Sequence, residues 1–158
     1  MLQKLLSTRQ DCGMAVIRIV LGVVMFIHGS QKALGWFGGS GFSGTMAMFE
    51  NYMHIPAPFA LLAIAAEFLG GLGLIVGLLG RVAAFGICVN MIVAVATVHW
   101  TNGFSMNWSG NKHGEGYEYH LLVIGICVAI LLNGSGSLSL DGVISRRSIG
   151  GNAGAAKV

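Results

Sequence analysis

Polar side chains that could do chemistry lie inside or at the ends of segments that are otherwise apolar. They are Arg18, His28, Gln31, Lys32, Glu67, Asn90, His99, Glu118 and His120. Only 9% of the 158 residues are charged, whereas about 25% are charged in a soluble domain. An ionisable group in a bilayer costs about 3 kcal/mol or more, so it persists where a partner, a cavity or a function compensates. These residues are therefore the first candidates for a site.

His28 and Glu67 are the predicted catalytic pair, acting by proton exchange. At a rise of about 1.5 Å per residue, His28 lies about 12 Å below the outer end of its helix and Glu67 about 15 Å below the outer end of the next. Antiparallel helices can bring side chains of similar depth together, so we expect these two to meet. A buried carboxylate is either paired or protonated, and an imidazole beside it can exchange its proton.

Five further side chains are predicted to bind substrate near the outer boundary of the membrane. They are Lys32, Gln31, His99, Glu118 and His120. Together with the catalytic pair they describe a cavity that opens outward and narrows toward the membrane centre. An ammonium group at its mouth, such as that of Lys32, suits an anionic substrate.

Two of the polar residues are predicted to be structural. Asn90 lies near the middle of an apolar run, as expected of a hydrogen bond between helices. Arg18 lies near the cytoplasmic end of its run, where it could extend to the lipid headgroups, although its length also leaves contact with Glu67 open. The alternative for the whole polar cluster is a network that only stabilises helix packing.

Other site chemistries find little support. Metal ligation by His28, His99 and His120 with Glu67 remains an alternative, but no close ligand spacing such as HxxxH is present, and we predict no metal. Paired histidines facing a haem are a weaker alternative. The chain has no flavin, nucleotide or iron–sulfur motif. Three cysteines, none in a CxxC pair, are expected as small hydrophobic residues: Cys12, Cys88 and Cys127.

The apolar runs that must position these residues predict an all-α fold. They span roughly 14–35, 57–79, 82–100 and 118–134, and the mean hydropathy is +0.75. Each run is near the length of about 20 residues that a membrane helix needs. We predict a four-transmembrane-helix bundle, because a soluble bundle would need charged outer faces that are absent.

The connections and glycines add detail to this bundle. A short interfacial helix is expected over Thr45–Met53, after an irregular stretch at Gly38–Gly44. The 25 glycines fit close helix packing in lipid, and Gly73 and Gly77 have the GxxxG spacing. Residues 1–147 are predicted to form one domain, and residues 148–158 a disordered tail.

The basic residues predict how the chain is oriented. Lys4 and Arg9 precede the first run, Arg81 lies in the short turn after the second, and 146–157 carries three more basic residues. By the positive-inside rule, the N and C termini are both cytoplasmic. The first run resembles a signal peptide in part, but Arg18 interrupts it, so we expect a retained helix. The net charge of +3 is explained by topology and anionic lipid, without a nucleic-acid partner.

Four segments resemble the DoxX family of membrane proteins. They are the first helix (RIVLGVVMFIHGSQKA, from Arg18), the second (AAEFLGGLGLIVGLLGR, from Ala65), EYHLLVI from Glu118 and GSGSLSLD from Gly134. The resemblance covers about residues 16–141, although the loop at 111–117 is more polar than the family pattern. It implies a multi-pass protein of the bacterial inner membrane, and it matches His28, Lys32, Glu67 and Glu118 to family motif positions.

The resemblance also leads to three functional hypotheses. The first is a quinone-linked oxidoreductase, or the membrane subunit of one, with quinone as cofactor and an intramembrane polar site. The second is a non-catalytic membrane anchor or assembly partner for a redox complex. The third is a small-molecule transporter. The expected partners are the lipid bilayer and either a redox subunit or a second copy of the chain.

Overall fold

The computed structural model describes residues 6–8 and 11–146, and these contain helices and no strands. The α-helices are, in chain order, α1 (Cys12–Leu34), α2 (Gly41–Ala47), α3 (Ala57–Val76), α4 (Gly80–Ala94) and α5 (Glu118–Asn133), and residues 140–146 are also helical. Helix α2 continues as a π-helix, Met48–Tyr52, and α4 as a π-helix, Val95–His99, followed by a 3₁₀ turn, Trp100–Asn102. The tail predicted at 148–158 lies outside the described residues.

The all-α membrane bundle predicted from the sequence is confirmed. Three helical stretches are long and apolar enough to cross a membrane: Cys12–Leu34, Ala57–Val76 and Gly80–Asn102. Helix α5 is also apolar but has only 16 residues. Large apolar side chains on the outside, such as Leu62 and Phe85, are more than 60% exposed, which suits contact with lipid rather than water.

Successive helices pack beside one another, α1 on α3, α3 on α4 and α4 on α5, and α1 also contacts α5. The interior is filled by side chains such as Met25, Leu74, Ile87 and Ile130, each at most 1% exposed. We call the end of the bundle that carries the long loop, residues 103–117, the loop end. The opposite end, with the short connection between α3 and α4, is the turn end.

Glycines let α1 and α3 approach each other closely. A Cβ atom added at Gly29 would lie 2.3 Å from the backbone nitrogen of Phe68, and one at Gly71 would lie 2.5 Å from that of Phe26. Of the four small residues that mark this helix in the sequence, Gly70, Gly71, Gly73 and Gly77, it is Gly71 that makes the close contact with α1, and the Gly73–Gly77 pair with the GxxxG spacing does not. Gly77 instead ends α3 with a φ of 70°, a conformation that glycine adopts without steric cost.

A short helix is present between the first two long helices, where an interfacial helix was predicted, but it begins earlier than expected. Helix α2 starts at Gly41, within the stretch predicted to be irregular, and the helical segment ends at Tyr52. The Thr45 hydroxyl donates a hydrogen bond of 3.2 Å to the carbonyl oxygen of Lys32. This contact holds the short helix against the last turn of α1.

Arg18 was expected to extend to the lipid headgroups, but its side chain is buried at the turn end, where it connects α1 to α3 and to the segment after α5. Its side chain is 0% exposed. The guanidinium donates to backbone carbonyls of Leu74 and Ile75 at the end of α3, and to those of Ser135 and Leu138 in the segment after α5. Five donors in a planar fork can satisfy several carbonyls at once, so a buried charge is retained without contact to Glu67.

Asp141 connects the segment after α5 to the start of α4 at the same end of the bundle. Its two carboxylate oxygens accept hydrogen bonds from the backbone nitrogens of Leu79 (2.8 Å) and Gly80 (3.0 Å) at the start of α4. The Ser135 hydroxyl donates to the same carboxylate at 2.6 Å. A negative charge at a helix N-terminus is favourable, so the segment after α5 closes the turn end.

Candidate functional site

Glu67 is the centre of the polar cluster and is only 4% exposed. Its Oε2 atom forms an ion pair with Nζ of Lys32, and its Oε1 atom accepts a hydrogen bond of 2.8 Å from Nδ2 of Asn90. One carboxylate thus joins three helices, α1, α3 and α4. A buried charge with both oxygens occupied is tolerated in lipid, because its neighbours replace the water it has lost.

The partner of Glu67 on α1 is Lys32, and the predicted pairing with His28 is wrong. Depth was estimated correctly, because Gly29 of α1 lies directly against Glu67 and Phe68 of α3. Which α1 residue reaches Glu67 depends on the direction in which its side chain leaves the helix. Lys32 is three residues after Gly29 and shares its face, whereas His28 is one residue before it and is turned by about 100°. His28 is exposed, and its ring contacts Tyr119 of α5 with centroids 6.4 Å apart.

Asn90 reaches Glu67 because of the symmetry of the α3–α4 hairpin. Glu67 lies 11 residues before Leu78, and Asn90 lies 11 residues after Leu79. Antiparallel helices joined by a tight turn bring such positions to the same depth. Asn90 therefore makes the interhelical hydrogen bond expected from the sequence, with Glu67 as its partner. Counting residues from the turn was the signal that could have identified this partner.

A groove of about 900 Å³ runs between α3 and α4, and the Glu67 cluster lies along it. Its walls are mostly apolar and include side chains exposed at the lipid-facing surface, among them Phe59, Leu69 and Val89. Its polar lining residues are Lys32, Glu67, Asn90, Thr97 and His99. The sequence predicted a narrow cavity that opens at the outer boundary of the membrane. The structure instead has a groove that opens along the side of the bundle.

A row of four rings lies at the loop end. The ring centroids are 6.4 Å apart for His28 and Tyr119, 5.5 Å for Tyr119 and His120, and 4.1 Å for His120 and His99. Nδ1 of His120 and the hydroxyl of Tyr119 are buried without a hydrogen-bond partner in the described part of the chain. We call these four residues the ring row; Tyr119 was not identified from the sequence.

Two residues predicted to bind substrate are engaged elsewhere. Gln31 donates from Nε2 to the carbonyl oxygen of Phe37 at 3.3 Å, which ties the end of α1 to the turn that follows it. Glu118 accepts a hydrogen bond of 3.0 Å from the indole nitrogen of Trp108 in the long loop. Neither lines the groove, because their side chains stabilise the connections at the loop end.

The long loop is folded onto the end of α4. The Nδ1 atom of His99 is 2.8 Å from the carbonyl oxygen of Glu115, and the Asn102 amide donates to the same oxygen at 3.0 Å. Since a carbonyl oxygen can only accept, Nδ1 of His99 carries the hydrogen. The ring of Trp100 stacks on Tyr117 with centroids 5.5 Å apart. These contacts fix the orientation of the His99 ring.

Among the described residues, no group of three or more His, Cys, Asp or Glu side chains is arranged to hold a metal ion. Cys88 and Cys127 are buried in the bundle and Cys12 is exposed. The polar site is therefore described by an ion pair, an amide and the ring row.

Comparison with known proteins gives one family and two distant relatives. The family model described as DoxX matches residues 13–100. The chain is 28% identical over 142 residues to "Putative oxidoreductase CatD" of Bacillus subtilis (strain 168), covering 90% of this chain and 94% of that protein. It is 26% identical over 138 residues to "Inner membrane protein YqjF" of Escherichia coli (strain K12), covering 87% and 96%. No solved structure matches the chain.

Proposed function

Because the chain belongs to the DoxX family of membrane proteins, we propose that it is a quinone-linked oxidoreductase of the bacterial inner membrane, or the membrane subunit of one. One relative is named as an oxidoreductase and the other as an inner membrane protein. Following the distribution of basic residues, both termini are assigned to the cytoplasm and the loop end to the outer side.

The groove between α3 and α4 is the observation that carries this proposal. A quinone is an apolar molecule with two carbonyl oxygens, and it reaches its site from the lipid. The groove is walled by apolar side chains that are themselves exposed to lipid, and its polar residues are grouped around Glu67. Its volume of about 900 Å³ falls within the usual range for small-molecule sites, roughly 300–1,000 Å³.

The residues of the cluster have the hydrogen-bonding groups that a quinone needs. Lys32 has three N–H donors and Asn90 has two, so each retains a donor after its contact with Glu67. Those donors would hold a carbonyl oxygen at the polar part of the groove. A quinone supplies two-electron, two-proton chemistry, and the side chains described here supply the protons and hold the ring in place.

The electrons must come from a second molecule. A reduced anionic substrate, such as a catecholate or a sulfur oxyanion, could meet the quinone at the loop end near Lys32. Alternatively, a partner subunit with its own redox group delivers the electrons. In both cases we assign the proton transfer to Glu67: its ion-paired carboxylate first takes up a proton, then gives it to a carbonyl oxygen of the quinone, and must take up another proton before the next transfer.

Quinone binding tests the proposal directly. The protein is reconstituted in nanodiscs, and its affinity for decylubiquinone is measured by titration calorimetry. Loss of one hydrogen bond to a buried charged group costs about 1.5–3 kcal/mol, so Glu67→Gln and Lys32→Met should each weaken binding roughly tenfold or more. Glu50→Gln is the matched control, since Glu50 is an exposed carboxylate in the interfacial helix.

Blocking the groove provides a second arm of the same experiment. Val89 lines the groove and is 44% exposed, whereas Val128 on α5 is 43% exposed and does not line it. Val89→Trp should abolish decylubiquinone binding, and Val128→Trp should leave it unchanged. If the folded, unmodified protein binds neither decylubiquinone nor menadione, the quinone proposal is wrong and the anchor hypothesis takes its place.

A further inference from the structure

The ring row contains two buried polar atoms that the ion pair does not use. His120 is 7% exposed, and its Nδ1 atom has no hydrogen-bond partner among the described residues; the same holds for the buried Tyr119 hydroxyl. A buried polar group without a partner is unfavourable, and such groups in native proteins commonly have a functional reason. Both atoms belong to groups that can accept a proton and donate one.

The row has one end, His99, against the long loop, and its third ring, Tyr119, lies within electrostatic range of Glu67. His99 is half-buried, and its Nδ1–H donates to the carbonyl oxygen of Glu115 in the long loop. In the neutral ring its Nε2 atom is therefore an acceptor. The His99 and His120 rings are 4.1 Å apart between centroids, and Tyr119 follows at 5.5 Å.

The two middle rings of the row, Tyr119 and His120, interact electrostatically with the charged groups of the site. Tyr119 lies within electrostatic range of Glu67 on α3. His120 lies within range of His28 and Lys32 on α1 and of His99 at the end of α4. These charged and titratable groups surround the row from every long helix of the bundle.

We propose that His99, His120 and Tyr119 form a proton path from the long loop to Glu67. The inference rests on the proposed function, because it is Glu67 that must be reprotonated after each proton given to a quinone. His28, at the other side of Tyr119, is exposed and is not required for the path.

The transfers balance one proton at a time. A proton from water binds Nε2 of His99, and the resulting imidazolium passes a proton to His120. Neither His120 Nδ1 nor the Tyr119 hydroxyl makes a hydrogen bond among the described residues, so the proposed transfers pass through water molecules between the groups. His120 gives a proton by way of water to the Tyr119 hydroxyl oxygen as the hydroxyl hydrogen leaves, again by way of water, for the Glu67 carboxylate. Each ring returns to its neutral form, Glu67 becomes a carboxylic acid, and Lys32 keeps its positive charge. Imidazole suits the first two steps because it gains and loses protons near neutral pH.

The test measures protonation of Glu67 without any quinone, so its outcome is independent of quinone binding. The full chain in nanodiscs is subjected to a rapid drop in pH, and the carboxylic-acid C=O stretch is followed by time-resolved infrared spectroscopy. The band is assigned to Glu67 by its loss in Glu67→Gln. The final pH is chosen from an equilibrium titration of the unmodified protein.

Tyr119→Phe removes one hydroxyl and keeps the ring, so the fold should be retained. We expect Glu67 to be protonated more slowly by a factor on the order of 100, the usual contribution of a positioned acid–base group, with the final amplitude unchanged. His113→Gln is the matched control, because His113 is an exposed histidine of the long loop and is not part of the ring row. Equal rates in Tyr119→Phe and His113→Gln would overturn the path.

His120→Ala gives an independent readout through chemical rescue. Added imidazole should restore the rate in this variant, whereas pyrazole, which has a similar shape but is a much weaker base, should not. A slowed rate that neither compound changes, or that both restore equally, means that His120 only fills space, and the path is then wrong. Absence of a Glu67 band throughout the pH range in which the protein is folded would also overturn it.

Discussion

The ion pair between Lys32 and Glu67 is the residue-scale feature on which the site depends. Glu67 is 4% exposed and lies within an apolar helix. Removing one member of a buried pair leaves the other charge uncompensated, whereas replacing both with apolar groups can be nearly neutral. The pair should therefore behave as a unit when stability is measured.

We expect Lys32→Met to lower the free energy of unfolding by about 3–5 kcal/mol, because it leaves a buried carboxylate without its cation. The double variant Lys32→Met, Glu67→Leu should recover most of this loss. Unfolding with denaturant in detergent micelles measures both, and Glu50→Gln should remain within about 0.5 kcal/mol of the unmodified protein. A double variant that is less stable than Lys32→Met would contradict the pairing.

The sequence identified the polar residues that lie inside the apolar helices, but it did not identify which of them contact one another. Glu67 and Lys32 were both identified, but His28 was paired with Glu67 because depth along a helix can be counted and direction around it is set by packing. The direction is fixed by Gly29, whose contact with Phe68 depends on how two helices approach. Arg18 was misplaced for a related reason: its carbonyl partners after α5 are 117 to 120 residues away along the chain.

At the scale of helices, the close contact of α1 with α3 places Lys32 within reach of Glu67. Three glycines on the facing surfaces, Gly22, Gly29 and Gly71, leave no room for a Cβ atom. Helix bounds were predicted to within a few residues, because runs of apolar residues and the prolines at positions 56 and 58 mark them. Gly71 was among the glycines expected to allow close packing, but the sequence did not indicate which of them faces α1, and the Gly73–Gly77 pair lies outside the contact.

Gly29→Ala tests this contact with one methyl group. The new Cβ atom would lie 2.3 Å from a backbone nitrogen, which no side-chain rotation can relieve, so the helices must move apart. We expect a loss of about 1–3 kcal/mol or more in the free energy of unfolding, together with weaker decylubiquinone binding. Gly125→Ala is the matched control on α5, because nothing lies within 4 Å of its added Cβ atom. Similar stabilities for the two variants would contradict the close contact.

At the scale of the whole molecule, the bundle has two ends of different character. The turn end is fastened by Arg18 and Asp141 through backbone groups, while the loop end carries the ring row and the aromatic stack of Trp100 on Tyr117. The distribution of basic residues predicts that the turn end faces the cytoplasm. In the proposed proton path, the orientation decides which compartment would supply protons to His99.

Thiol labelling in intact cells tests this orientation. Cys12 is exposed near the turn end, whereas Cys88 and Cys127 are buried and should not react. A membrane-impermeant maleimide should label His113→Cys, in a chain with Cys12→Ser, without permeabilisation. It should label Cys12 of the unmodified protein only after permeabilisation. The reverse pattern would place the long loop in the cytoplasm.

The π-helix at Val95–His99 has a consequence for how His99 should be compared between proteins. At about 100° per residue, the ninth position after Asn90 in a regular α-helix lies on the opposite side of the cylinder. The π-turn contains one more residue than an α-turn, so His99 lies about where the eighth position after Asn90 would lie in a regular α-helix. Asn90 and His99 therefore both line the groove. A related chain of equal length that forms a regular α-helix here would carry the aligned histidine on the opposite side of the helix, so sequence identity at that column would not mean the same imidazole in space.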